Sequence, residues 1–182
     1  MSAARYTRTA VALHWVIAVM IFGAFPLGVY MHELPLSPYK LQLYSYHKWL
    51  GIGVLLFAVL RLLWRATHKP PPPLPGMPRW QEAAAHAVHH SLYLLVLAVP
   101  LSGWLMSSAL GFPVMWFGVL PLPDLIGKDK ELGEVIKLVH KGLNITLLLF
   151  VLAHVAGAIK HHFIDRDATL ARMLPFLDKE KS

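Results

Sequence analysis

Four long blocks of this chain carry almost no charge, and they restrict what it can fold into more than anything else in it. Thr9 to His32 and Ala83 to Pro123 contain no Asp, Glu, Lys or Arg, Leu41 to Leu60 is interrupted only by Lys48, and Gly142 to Ile159 is again clean. A soluble domain scatters its apolar residues with helical or strand periodicity, so that one face can meet water. Blocks of this kind suit a bilayer core, which a helix of about 20 residues crosses. The alternation expected of a membrane β-barrel is missing. The first block is too long for a signal peptide and has no small-residue cleavage site before Pro26. The composition agrees: 56% of residues are hydrophobic and 15% charged, against about 45–50% and 25% in soluble domains. The expectation is an all-α, four-helix transmembrane bundle, a single membrane domain over residues 1–182 with helices near 10–31, 43–64, 83–109 and 132–160.

Lys and Arg set the expected orientation, because cytoplasmic connections retain them. Arg5 and Arg8 precede the first helix, while Arg61, Arg65, Lys69 and Arg79 flank the second connection. The tail adds Lys160, Arg166, Arg172, Lys179 and Lys181. The other connections hold Lys40, Lys128, Lys130 and Lys137, with Lys48 and Lys141 at helix ends. Both termini should therefore be cytoplasmic, in a bacterial inner membrane. The net charge of +7 reflects this sorting, so no nucleic-acid partner is expected. The proline-rich stretch 69–79 reads as a stiff cytoplasmic linker. The apolar segment 110–131, with Trp116 and Phe117, reads as a periplasmic lid at the interface.

The chain has no cysteine, which excludes disulfides, iron–sulfur clusters and covalently attached c-type haem. It has eleven histidines, and a histidine inside a bilayer is costly enough to mark function. His14 in the first helix and His154 in the fourth fall at similar depth near the inner face, and His47 and His140 fall near the outer face. His140 and His154 are fourteen residues apart. At 100° per residue they leave one stripe of the helix, about 21 Å apart along its axis. One helix thus offers a ligand at each of two levels, with a partner histidine at each. A single such histidine is most often a hydrogen-bonded core residue. Paired imidazoles at two depths instead suit two flat, six-coordinate, non-covalent haem b groups, with clearance from Gly51, Gly142 and Gly157. Zinc or copper is less apt, because each level lacks further ligands and no carboxylate lies within the membrane.

Several stretches resemble the bacterial cytochrome b561 family, which is related to the haem-bearing membrane subunits of hydrogenases and formate dehydrogenases. They are Tyr6-Thr7-Arg8 followed by His14-Trp15, His47, Ala85-His86-Ala87-Val88-His89, the His140/His154 pair, His161-His162-Phe163 and Arg172-Met173-Leu174-Pro175. The resemblance implies His14 and His154 as axial ligands of a cytoplasmic-side haem, and His47 and His140 of a periplasmic-side haem. It also implies ubiquinone as the membrane electron carrier. His86, His89 and His161 are candidates for the quinone site, since quinone reduction takes protons as well as electrons. Their other reading is contact with lipid headgroups or haem propionates. Arg8 is a candidate propionate partner. His90 has no assignment.

With both axial positions filled, neither iron can bind substrate, so the chain should move electrons through haem edges. The resemblance includes stand-alone enzymes that oxidise superoxide and reduce ubiquinone, and membrane relays for a periplasmic dehydrogenase. The chain shows no nucleotide-binding glycine motif and no metal site outside the membrane. It is therefore not expected to oxidise a complex organic substrate alone, and its short length and resemblance to the single-chain form imply superoxide oxidase as the expected function, with the relay subunit as alternative and a metal transporter third. Lys137, three residues before His140, could overhang the outer site and steer superoxide, or else pair with a propionate or stand solvated.

Overall fold

The computed structural model describes residues 5–74 and 76–174. Pro75 of the linker, and Pro175, Lys179 and Lys181 of the tail, lie outside the described residues. Four helices form: α1 (Arg8–Glu33), α2 (Pro38–Thr67), α3 (Arg79–Ala109) and α4 (Lys130–Phe163). Each is long and apolar enough to cross a membrane. Each starts before its expected bound, and all but α3, which ends as expected at Ala109, also run past it, because the apolar count sees only the hydrocarbon-depth part of a helix, while caps fix the starts of α1, α2 and α4. Thr7 Oγ1 accepts from the Ala10 amide at 3.2 Å, Ser37 Oγ from the Lys40 amide at 3.2 Å, and Asp129 Oδ1 from the Leu132 amide at 3.0 Å.

Little of this apolar surface is buried in protein. Val19, Phe22, Leu94, Leu138 and Leu149 all stand exposed. A bundle whose outer faces are apolar all round needs lipid as its solvent. The core is small: Ile17, Val54 and Ala58, with Met20, Ile21, Phe57, Val96 and Leu97 against them, at the junction of α1, α2 and α3.

The packing is uneven. α1 lies along α2, α2 along α3, and α3 most closely along α4, whereas α4 makes no comparable packing with α1 or α2. The bundle is thus a horseshoe with a gap between α4 and the first two helices. The close α3–α4 approach is set at Gly133, where an added Cβ would meet Leu110 Cδ2 at 2.5 Å and Cγ at 2.8 Å. The Asp129 amide also donates to the Ala109 carbonyl at 2.9 Å, tying the start of α4 to the end of α3.

The segment between α3 and α4 contains a β-hairpin that the sequence did not suggest: β1 (Val114–Trp116) pairs antiparallel with β2 (Leu120–Leu122). Its turn uses Phe117 and Gly118, both at positive φ (51° and 74°), the conformation of a tight hairpin turn. The hairpin is fastened to α2 beside His47. Trp49 Nε1 donates to the Met115 carbonyl at 2.7 Å, Trp116 Nε1 to the Trp49 carbonyl at 3.2 Å, and Lys48 Nζ to the Phe112 carbonyl at 3.2 Å. At the opposite end, residues 164–174 fold back across the bundle. Trp15 Nε1 donates to the Met173 carbonyl at 2.9 Å and Arg172 to the Pro72 carbonyl at 2.7 Å. The ends of the bundle are therefore a hairpin end and a termini end.

Gly133→Leu should wedge α3 from α4 and cost about 1–3 kcal/mol, the range for overpacking a closed contact. Thermal unfolding in detergent should show a lowered midpoint, whereas Gly127→Ala, where a Cβ meets nothing within 4 Å, should not.

Candidate functional site: two histidine levels across the gap

The gap is bridged by histidines. At the hairpin end the rings of His47 (α2) and His140 (α4) lie edge-on to each other, with centroids 6.5 Å apart and planes at 89°. At the termini end His14 (α1) and His154 (α4) stand 6.1 Å apart at 69°. The structure thus brings together the pairs expected from depth.

The hairpin-end pair is held by one device used twice. His47 Nδ1 bonds the Ala24 carbonyl of α1 at 3.0 Å, and His140 Nδ1 bonds the Val99 carbonyl of α3 at 3.1 Å. Four residues past each carbonyl is a glycine against the same ring. A Cβ on Gly28 would lie 3.0 Å from His47 Cε1, and one on Gly103 3.1 Å from His140 Cε1. Each imidazole is thus clasped between a carbonyl and a glycine one turn later on the neighbouring helix. Ser102 adds to the second clasp: its hydroxyl donates to the Val99 carbonyl at 2.7 Å, so its oxygen is left to accept from His140 Nδ1 at 2.8 Å. A proton committed at Nδ1 leaves Nε2 with its lone pair, the form that ligates a metal.

The termini-end level is built differently. His89 of α3 lies 5.2 Å from His154, making a cluster of three imidazoles. Among the described residues no hydrogen bond fixes the rings of His14, His89 or His154. The cation whose field reaches all three is Arg61, which also donates to the Ala10 carbonyl. Sequence reasoning counted Arg61 only towards orientation. Arg8 opens α1 as an exposed residue.

The remaining candidates separate. His161 Nδ1 lies 2.7 Å from Asp167 Oδ2 and 3.1 Å from Asp165 Oδ2, which anchors the folded-back segment. Burial alone would raise the Asp167 carboxyl, but bonds from Thr169 and His161 outweigh it and hold it below the usual carboxylate value. His86 is exposed, 3.8 Å from Glu82, and His90 bonds the His86 carbonyl at 2.7 Å. Lys137 pairs with Glu134 at 3.0 Å, which offsets its charge.

Residues 5–176 match the family model described as prokaryotic cytochrome b561. The chain belongs to that family. It is 36% identical over 173 residues to cytochrome b561 homolog 2 of Escherichia coli K12, covering 93% of this chain and 91% of that one. It is 29% identical to cytochrome b561 homolog 1 of the same organism, over 94% of this chain and 97% of that one. A protein named probable superoxide oxidase CybB, from Yersinia pestis, is 24% identical over 94% of this chain and 96% of its own length. With four apolar helices, membership of this family places the chain in the bacterial inner membrane. The family implies haem b as cofactor.

The residues present fit that group. A metal about 2.0–2.1 Å from each of two opposed imidazole nitrogens puts the ring centroids roughly 6 Å apart. The pairs stand at 6.1 and 6.5 Å. A Cβ at Gly51, Gly142 or Gly157 would meet nothing within 4 Å, the open space expected there for a flat ring.

Gly28→Val and Gly103→Val should each push a hairpin-end imidazole out of its clasp. The purified variants should lose part of the b-type absorption of the parent, while Gly127→Val should keep it all.

Proposed function

We propose that the chain binds two non-covalent haem b groups and moves electrons across the inner membrane, from superoxide at the hairpin end to ubiquinone at the termini end. The observation that carries this reading is the opposition of two imidazole pairs across a gap that helix packing leaves open. The Lys and Arg distribution supports cytoplasmic termini, which makes the hairpin a periplasmic lid. His47 and His140 would hold the periplasmic-side haem and His14 and His154 the cytoplasmic-side one. Bound there, haem b would supply one-electron chemistry.

The chain's own residues do the rest. The carbonyl–glycine clasps hold His47 and His140 in one tautomer and orientation. We assign propionate binding to Arg61, whose field already reaches the three inner imidazoles, with Arg8 outside that cluster. Ubiquinone must receive protons as well as electrons, and His161, paired to Asp167 and Asp165 through Nδ1, leaves its other ring nitrogen without a partner among the described residues. His89 is the second candidate on that side, and His86 the more remote one. Lys137 is the cation assigned to superoxide steering, partly offset by Glu134. The relay reading draws its support from the exposed apolar hairpin tip at Phe117 and Val119, an edge on which a periplasmic redox partner could dock.

Haem quantitation should find two haems per chain. His47→Ala and His140→Ala should each lose one haem, and His14→Ala and His154→Ala the other. A variant of these four that kept both haems with an unchanged spectrum would sink the ligand assignment.

Superoxide should reduce the b-type absorption of the purified protein, with the effect abolished by superoxide dismutase, and a soluble ubiquinone should then reoxidise it. His161→Ala should keep the haem and the superoxide phase but slow reoxidation by about a hundredfold, the scale of a lost proton donor. If superoxide leaves the absorption unchanged, the oxidase reading fails and the relay reading takes its place.

A further inference from the structure

We propose that a cleft at the termini end, between the start of α1, the last turns of α2 and Tyr93 of α3, binds the phosphate headgroup of an anionic phospholipid from the adjoining leaflet. The cleft is shallow, with a cavity volume of about 30 Å³, and open to that side. Arg61, Arg65 and Lys69 line it at intervals of four residues, and no carboxylate is among its lining residues. Among the described residues, none of these three cations is ion-paired to an Asp or Glu.

The polar groups facing the cleft are biased toward donation. Thr7 Oγ1 already accepts from the Ala10 amide at 3.2 Å and from Trp64 Nε1 at 2.8 Å, so what remains to it is its O–H. Arg65 is pinned over the Tyr93 ring at 5.4 Å, a contact that leaves its N–H groups available. Converging cations and hydroxyl donors without an acidic counterpart call for an anion. The walls say which kind: Trp64 and Tyr93 are aromatic, and α1 and α2 run from the cleft straight into exposed apolar surface such as Leu63. A phosphate carrying acyl chains satisfies both halves, as basic pockets between membrane helices generally do. A haem propionate satisfies only the upper part. Arg61 sits beside Ala10, close below the imidazole cluster, but Arg65 lies about one turn further out, roughly 6 Å along the helix axis, and Lys69 lies past the end of α2.

The site is tested on the haem-loaded protein in mild detergent. Native mass spectrometry would follow retention of dioleoylphosphatidylglycerol against dioleoylphosphatidylcholine, alongside thermal unfolding with each lipid. The parent should retain one phosphatidylglycerol in preference and unfold at higher temperature with it. Arg65→Gln combined with Lys69→Gln should weaken that preference by about thirtyfold, from the loss of two cations near a lipid phosphate. The b-type spectrum of that variant should not change. The charge-conserving pair Arg65→Lys and Lys69→Arg should keep the preference. Equal retention of the two lipids, or an unaltered preference in the Gln pair, would overturn the proposal. So would equal protection by inorganic phosphate alone, which would make this a free-phosphate site. Loss of haem from the Gln pair would also overturn it, by placing both residues in the haem pocket.

Discussion

Everything at the centre of this molecule depends on a gap that the helices do not close. α4 is anchored along α3 by a glycine contact and a backbone bond, and α1 is anchored along α2, but α4 makes no comparable packing with α1 or α2, where imidazole pairs stand between the helices. A bilayer gives no hydrophobic force to pull those helices together, because lipid is as apolar as the side chains. Packing and polar contacts alone set the spacing. A spacing that admits a flat ring between opposed imidazoles can therefore persist, where in water a gap lined by such apolar helices would tend to collapse.

The two levels are fixed by different means. At the hairpin end each imidazole takes a carbonyl from a neighbouring helix, at Ala24 just before Pro26 and at Val99 just before Pro100. The glycine one turn on then lets the ring lie against the backbone. At the termini end no such clasp occurs among the described residues, and three imidazoles and a guanidinium share one region instead.

Much of this was legible in the sequence because the bilayer makes depth readable. Uncharged blocks gave the spans, and the span directions put His14 level with His154 and His47 level with His140. The clasps were not legible, since they are contacts between helices whose relative rotation no spacing rule gives. Gly28 and Gly103 look like any other membrane glycine until the ring against each is seen. The hairpin was hidden because its strands are apolar on both faces and contain Pro121, while its turn asks Phe117 for a left-handed conformation. Arg61 was assigned to orientation because it sits at the edge of an apolar block. Its reach to Ala10 on another helix turns it inward.

The contrast between the ends fits the chemistry proposed for them. Superoxide gives up an electron without a proton, so the level that meets it needs only fixed ligands and a shielded approach. There the protein supplies carbonyl-bonded imidazoles beneath a lid held by two indole bonds, from Trp49 to the Met115 carbonyl and from Trp116 to the Trp49 carbonyl. Ubiquinone takes protons with its electrons, and the level that would serve it gathers titratable groups: His89 among the inner imidazoles, and His161 with Asp165 and Asp167 below them. The folded-back segment brings the two parts of that level together. Its carboxylates hold His161, and its Met173 carbonyl binds Trp15 beside His14. A proton held at His161 is thereby kept close to the level at which the electron would arrive, which a coupled reduction requires.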